Sequence, residues 1–103
     1  MIIVLATAQL VPGTRDSFLE HFNANVPNVL QEEGCIEYAP TIDIPTDIGA
    51  QGDTRDDVVV VVEKWESLEA LKAHIVAPHM LEYRAKVKEM VKGTTLQILE
   101  PAI

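Results

Sequence analysis

The sequence predicts an α+β domain with the element order β-α-β-β-α-β, an antiparallel sheet carrying its helices on one face. Three observations predict it. Residues 2–10, 35–44, 58–65 and 94–100 are rich in β-branched and alternating apolar side chains, as strands are. Between the first and second of these, and between the third and fourth, apolar residues fall at helical spacing. The second and third are joined by a polar, glycine-containing connection with no helical pattern. That order is the ferredoxin-like arrangement, and 103 residues fill a single domain, 1–103.

The first strand stops at Pro12-Gly13, a turn signal, and Thr14 or Asp16 can cap the helix that follows. Phe18, Phe22, Val26 and Val29/Leu30 make one apolar stripe along it, and Pro27 inside the run predicts a kink or a break. Gly34 suits the left-handed position that closes helices. In residues 35–44, Pro40 confines the strand to a sheet edge or places a bulge in it. Residues 45–57 read as a long connection and a candidate mobile lid. The strongest strand, 58–65, opens with five valines; a short helix at 67–75 follows, then a helical piece at 78–91 opened by Pro78 at a first-turn position. Gly93 is expected to end that piece, before the last strand at 94–100.

Composition narrows the partners. With 48% hydrophobic and 23% charged residues the chain is globular. A net charge of −8 with no basic cluster read anywhere in the chain argues against nucleic acid and anionic membrane surfaces. The single cysteine, Cys35, precludes an internal disulfide framework and fits a reducing compartment. The apolar start at Met1 lacks a basic leader and nothing approaches membrane-spanning length, so the expected location is the cytoplasm. Val58 to Val62 and Ile2 to Ala6 are apolar on both faces of their strands, and two helices cover only one face. A second copy, related by two-fold symmetry, is therefore expected on the other, with the ligand cavity between the two sheets.

Candidate site residues cluster after the valine strand. Trp65 shares a strand face with Glu63, Val61 and Val59, and it either walls a cavity or fills core. His74 lies on the helix face that packs toward the sheet, where it is either a pocket base or a buried histidine bonded to backbone. His79 stands at a helix start, whose positive end favours the neutral, proton-accepting form; partial exposure is its bland reading. A carboxylate at Glu63 is costly in such surroundings unless paired or protonated. Tyr38 and Tyr83 can offer a phenol to a substrate oxygen or simply pack. Cys35 reads as a small filler, since no adjacent basic group would depress its thiol, and His21 as solvent-exposed. His74 and His79 are five apart across Pro78, not at the helical spacing of a metal pair.

These residues carry a resemblance. Pro12-Gly13, Glu33-Gly34-Cys35 and Glu63-x-Trp65-x-Ser67-x-x-x-Leu71-x-x-His74-x-x-x-Pro78-His79 resemble the antibiotic biosynthesis monooxygenase superfamily. The run Val26-Pro27-Asn28-Val29-Leu30-Gln31-Glu32, with Tyr38-Ala39-Pro40 and Ile98-Leu99-Glu100-Pro101-Ala102-Ile103, is similar to its bacterial quinol monooxygenase branch. The resemblance implies a dimeric α+β barrel and attack of O₂ on a quinol or similar planar phenol, with no metal or flavin cofactor. Trp65, Glu63, Tyr38 and Tyr83 would then bind the aromatic substrate, and His74 or His79 would take its proton. Haem-degrading relatives carry an asparagine on the first strand, near Ala6 in this chain, and alanine cannot replace its hydrogen bonds. Two other classes stay open: an isomerase of a phosphorylated carbonyl, for which Arg84 and Lys64 are the nearby cations, and a non-catalytic quinone-binding protein.

Overall fold

The computed structural model describes residues 1–103. Strand β1 (Ile2–Leu10) leads into helix α1 (Arg15–Leu30), strand β2 (Cys35–Thr41), strand β3 (Val58–Trp65), helices α2 (Leu68–Ile75) and α3 (Pro78–Val87), and strand β4 (Val91–Leu99). The four strands form one antiparallel sheet in the order β2-β3-β1-β4. The expected ferredoxin-like order is present. β2 is an edge strand, which is where Pro40 can lie without removing a ladder bond from a central strand.

Alternation sorts the sheet into two faces. Val4, Ala6, Ala8 and Leu10 of β1 and Val59, Val61, Glu63 and Trp65 of β3 are buried on the helix side. Phe18, Phe22 and Val29 of α1, Leu71 and His74 of α2, and Met80 and Val87 of α3 close over them. Ile3, Leu5, Val58, Val60 and Val62 alternate onto the opposite face, where no element of the chain packs.

Several boundaries differ from expectation, each for a local reason. α1 runs unbroken through Pro27. The proline lies in the last turn, so its missing N–H interrupts little of the helix beyond it. β2 stops at Thr41 rather than residue 44, one position past Pro40. α3 ends at Val87 and tightens into a 3₁₀ turn at Lys88–Met90. β4 therefore begins at Val91 and includes Gly93, which sits beside a register shift opposite Gln9/Leu10 instead of ending a helix. Thr14 precedes α1 but donates to the Val11 carbonyl at 2.7 Å rather than capping, whereas Ser67 caps α2 by accepting from the Ala70 N–H at 3.1 Å.

Gly34 does what was expected of it and more. Its φ is +83°, and a Cβ there would lie 2.7 Å from the Ala70 Cβ. Its carbonyl accepts from the Glu66 N–H at 2.8 Å. Glycine thus lets the end of α1 lie directly against the start of α2, which sets the distance between Glu32 and His74.

Residues 45–57 lie at the surface. An Arg55–Asp43 fork, with Nε–Oδ2 at 2.8 Å and Nη2–Oδ1 at 3.0 Å, holds this connection at its base. That contact keeps the Asp43 carboxyl at about 2, chiefly through the Arg55 side-chain hydrogen bond. No helix is long and apolar enough to cross a membrane.

Candidate active site

Ala6 and Ala8 are the smallest inward side chains of the central strand β1, and the helices bridge over them instead of filling the space. A cavity of about 530 Å³ results, floored by Val4, Ala6 and Val61 and roofed by helical side chains. It lies between the sheet and the helices of one chain. The room comes from small residues on β1 within one chain, whereas the sequence placed the cavity between two sheets. None of residues 45–57 lines it, so the expected lid does not border the site.

The walls are aromatic. Phe22 stacks on Tyr38 with ring centroids 5.2 Å apart, and Tyr83 meets Phe22 edge-on at 5.7 Å. Burial pushes the phenols of both Tyr38 and Tyr83 well above their ordinary value, so both stay protonated and can donate. Tyr38 stands opposite Glu63 in the β2–β3 register, and Val4 stands opposite Glu63 on the other side. One row of the sheet therefore presents a phenol and a carboxyl side by side.

Glu63 is only 5% exposed and accepts a hydrogen bond from the Trp65 indole N–H at 3.0 Å. Burial raises its carboxyl to about 7; the indole hydrogen bond opposes that rise and the Glu32 charge adds to it. The carboxyl is thus poised to give or take a proton near neutrality, with no cation beside it. The salt bridge that would have excused a carboxylate here is absent; partial protonation and the indole take its place.

His74 is the other polar group on the wall. Its Nδ1 lies 2.8 Å from Glu32 Oε2, a contact that fixes the proton on Nδ1 and leaves Nε2 as the free lone pair. The Tyr38 ring meets it edge-on at 5.3 Å, and Trp65 lies behind at 4.7 Å. Burial lowers the imidazole below its ordinary value, partly offset by the Glu32 hydrogen bond, and so favours the neutral, accepting form.

The structure gathers four of the six expected residues, His74, Glu63, Tyr38 and Tyr83, around one cavity. Trp65 is fully buried and does not line it; the indole supports His74 and Glu63 from behind, correcting its expected place as a wall. His79 also stands outside. It opens on a small surface cleft between α1 and α3, with Nδ1 3.1 Å from Asn25 Nδ2. Its Nε2 is 3.3 Å from Glu32 Oε2, near enough to pair if charged but not aligned as a hydrogen bond. His21, expected in solvent, borders the same cleft. Cys35 is half-buried with its thiol raised by burial, which suits an inert filler. Lys64 pairs with Glu37 at 3.2 Å on the opposite face of the sheet, away from the cavity.

Glu32 is the residue that sequence reasoning missed. One signal was available: Glu32 and Glu33 follow the C-terminal end of a helix, where the dipole disfavours negative charge. A carboxylate placed there against local electrostatics has a partner elsewhere, and that partner is His74.

A family model described as antibiotic biosynthesis monooxygenase matches residues 1–86. The chain is 39% identical to the probable quinol monooxygenase YgiN of Escherichia coli (strain K12), with both proteins covered in full. Among solved structures, a chain from Nitrosomonas europaea superposes with a TM-score of 0.83 at 15% identity, each covered completely. The Rv0793 protein of Mycobacterium tuberculosis does so with a TM-score of 0.77 at 25% identity, over 99% of this chain and 95% of that one.

Proposed function

The chain belongs to the antibiotic biosynthesis monooxygenase family, and on that premise we propose that it is a quinol monooxygenase that uses O₂ directly, without metal or flavin. The observation that carries this reading is His74, held by Glu32 with its second nitrogen free, on the wall of an aromatic, largely apolar cavity.

The chemistry asks little of the protein. A planar quinol lies among Phe22, Tyr38 and Tyr83, which exclude water and accept its flat faces. His74 Nε2 takes the phenolic proton, and the Nδ1–H bond to Glu32 steadies the imidazolium that forms. The quinolate is then the electron donor for O₂. One oxygen atom forms a bond to a ring carbon; the other leaves as water, the ring ending as a hydroxyquinone. Glu63, near half-protonated at neutral pH, supplies a proton to the departing oxygen, and Tyr38 hydrogen-bonds the oxygen that stays on the ring. Trp65 and His79 act from behind, the first on His74 and Glu63, the second on Glu32.

The working unit in this reading is a homodimer. Ile3, Leu5, Val58, Val60 and Val62 form an uncovered apolar sheet face, and an apolar area on the order of several hundred Å² is more than single chains ordinarily leave bare. Each protomer holds its own cavity.

The test is an oxygen electrode with reduced menadione and protein freed of metal and flavin. Protein-dependent O₂ uptake, lost in His74→Ala, is expected. Uptake that requires an added flavin or metal would overturn the direct reaction, and quinone binding without uptake would leave only a binding protein.

A further inference from the structure

The cavity lining includes two cations, Arg84 and Lys88, in a protein of net charge −8. Four of the chain's eight Lys and Arg residues, Arg84, Lys86, Lys88 and Lys92, lie within residues 84–92, together with only one of its sixteen acids, Glu89. Their spacing hides this in the sequence, because acidic and apolar residues interleave with them. The fold gives the segment its meaning. Arg84 and Lys88 are four apart, on α3 and the 3₁₀ turn that continues it, and both line the cavity beside Thr94 of β4. Neither makes an ion pair, whereas Arg55 and Lys64 do.

The Arg84 charge is felt inside. Burial is the main influence on the Tyr38 and Tyr83 phenols and on His74; the guanidinium opposes it at the two phenols and reinforces it at His74. The same lining holds Glu63 and His74, with Glu32 bonded to His74, so proton-handling groups and two cations share one cavity.

We propose that the substrate of this site is a quinol whose ring carries an acidic substituent, a carboxylate, which Arg84 and Lys88 bind while the ring lies among Phe22, Tyr38 and Tyr83. The inference rests on the quinol reading and deepens it. An anion beside Arg84 and Lys88 is attracted by two unpaired cations and steered by the local positive field against the −8 background of the chain. Anchoring the carboxylate also restricts how the ring can turn within the cavity that His74 and Glu63 line. A neutral quinol has no such anchor.

Binding of two oxidised ligands tests this without turnover: 2-carboxy-1,4-naphthoquinone and 2-methyl-1,4-naphthoquinone, alike in shape but not in charge. Quenching of Trp65, the only tryptophan and 4.7 Å from His74, reports occupancy. At low salt the carboxylate is expected to bind about tenfold more tightly than the methyl compound. That ratio should fall toward one in 0.5 M NaCl and in the doubly substituted Arg84→Gln/Lys88→Gln protein, whose two sites are exposed and whose melting temperature should not move. A ratio near one in the parent protein overturns the inference, as does a ratio that survives the double substitution. So does a ring-free phosphate ester that competes as well as the carboxylate, since the cations would then serve a different substrate class. The two readings fail separately. A ratio of one with oxygen uptake intact removes the carboxylate and keeps the quinol oxygenase. A tenfold ratio without uptake keeps the carboxylate site and removes the oxygenase.

Discussion

The Nδ1 atom of His74 lies 2.8 Å from Glu32 Oε2, across 42 positions of sequence, where the end of α1 meets the inner face of α2. The bond decides which imidazole nitrogen is free and opposes the effect of burial on the ring. Because burial prevails, the folded value lies below 6.5, and the neutral base is lost only as pH falls through that lowered value. kcat/KM should therefore show an acid limb centred below 6.5, and Glu32→Gln should move it lower by removing the charge that favours protonation. His74→Ala should lower kcat by about 10²- to 10⁴-fold. A limb unmoved in Glu32→Gln would show that His74 is not the group titrating.

Glu63 should make stability fall between slightly acid and slightly alkaline pH. Its folded value, about 7, is raised above the unfolded 4.5, so its stabilising contribution is complete below 4.5 and lost as pH rises through 7. Glu63→Gln keeps an acceptor for the Trp65 N–H without the charge. Urea denaturation at pH 8 should find it more stable than the parent by up to about 3 kcal/mol, with the difference vanishing below pH 4.5. His74 works the other way, its lowered value withdrawing stability as pH falls below 6.5, but it is common to both proteins and cancels. Equal stability of the two proteins at pH 8 would mean that Glu63 is ionised at little cost.

What was legible in the sequence followed from local rules. Strand alternation placed Val59, Val61, Glu63 and Trp65 on one face, and helical spacing placed His74 inward, because both periodicities are properties of the backbone. Gly34 was legible as a left-handed position for the same reason. The cavity was not, because it depends on what Ala6 and Ala8 fail to fill once three helices have crossed them. Glu32 was not, because its partner is set by the approach of two helices. Trp65 illustrates the limit in one residue: its face was legible, but whether that face met a cavity or the back of His74 depended on packing.

If Ala6 and Ala8 are what open the cavity, filling it should abolish binding without harming the fold. Ala6→Leu adds three carbons to the cavity floor, opposite Val61 on one side and Leu96 on the other. Naphthoquinone quenching of Trp65 should weaken by at least about tenfold while stability holds or rises by roughly 1 kcal/mol, as cavity-filling changes commonly do. Undiminished binding would place the ligand elsewhere.

Gly34 and Gly13 form a natural control pair. Both have positive φ, +83° and +85°, but a Cβ at Gly13 meets nothing within 4 Å while at Gly34 it meets Ala70 at 2.7 Å. Gly13→Ala should cost about 1 kcal/mol of backbone strain alone. Gly34→Ala should cost about 2 to 4 kcal/mol, since α2 must move away from the α1 terminus. The same movement lengthens the Glu32–His74 contact, so activity should fall further than stability does. Equal costs for the two substitutions would show that the Ala70 contact relaxes freely.

The dimer and the cavity are separable by one substitution. Val60 points away from the helices, between Thr7 on β1 and Thr41 on β2, in the middle of the uncovered face. An aspartate there leaves the buried layer of its own chain untouched but places a charge at the centre of any sheet-to-sheet contact, where it has no partner. Sedimentation at micromolar concentration should give a dimer for the parent and a monomer for Val60→Asp, with helix and strand content retained. Because Phe22, Tyr38, Tyr83 and His74 all come from one chain, the monomer should still bind a naphthoquinone. Binding lost along with the dimer would mean that the partner closes the open side of the site, where Leu96 and Ile98 of β4 face outward beyond the helices. A parent protein that sediments as a monomer would refute the two-sheet contact itself and leave that apolar face to another partner.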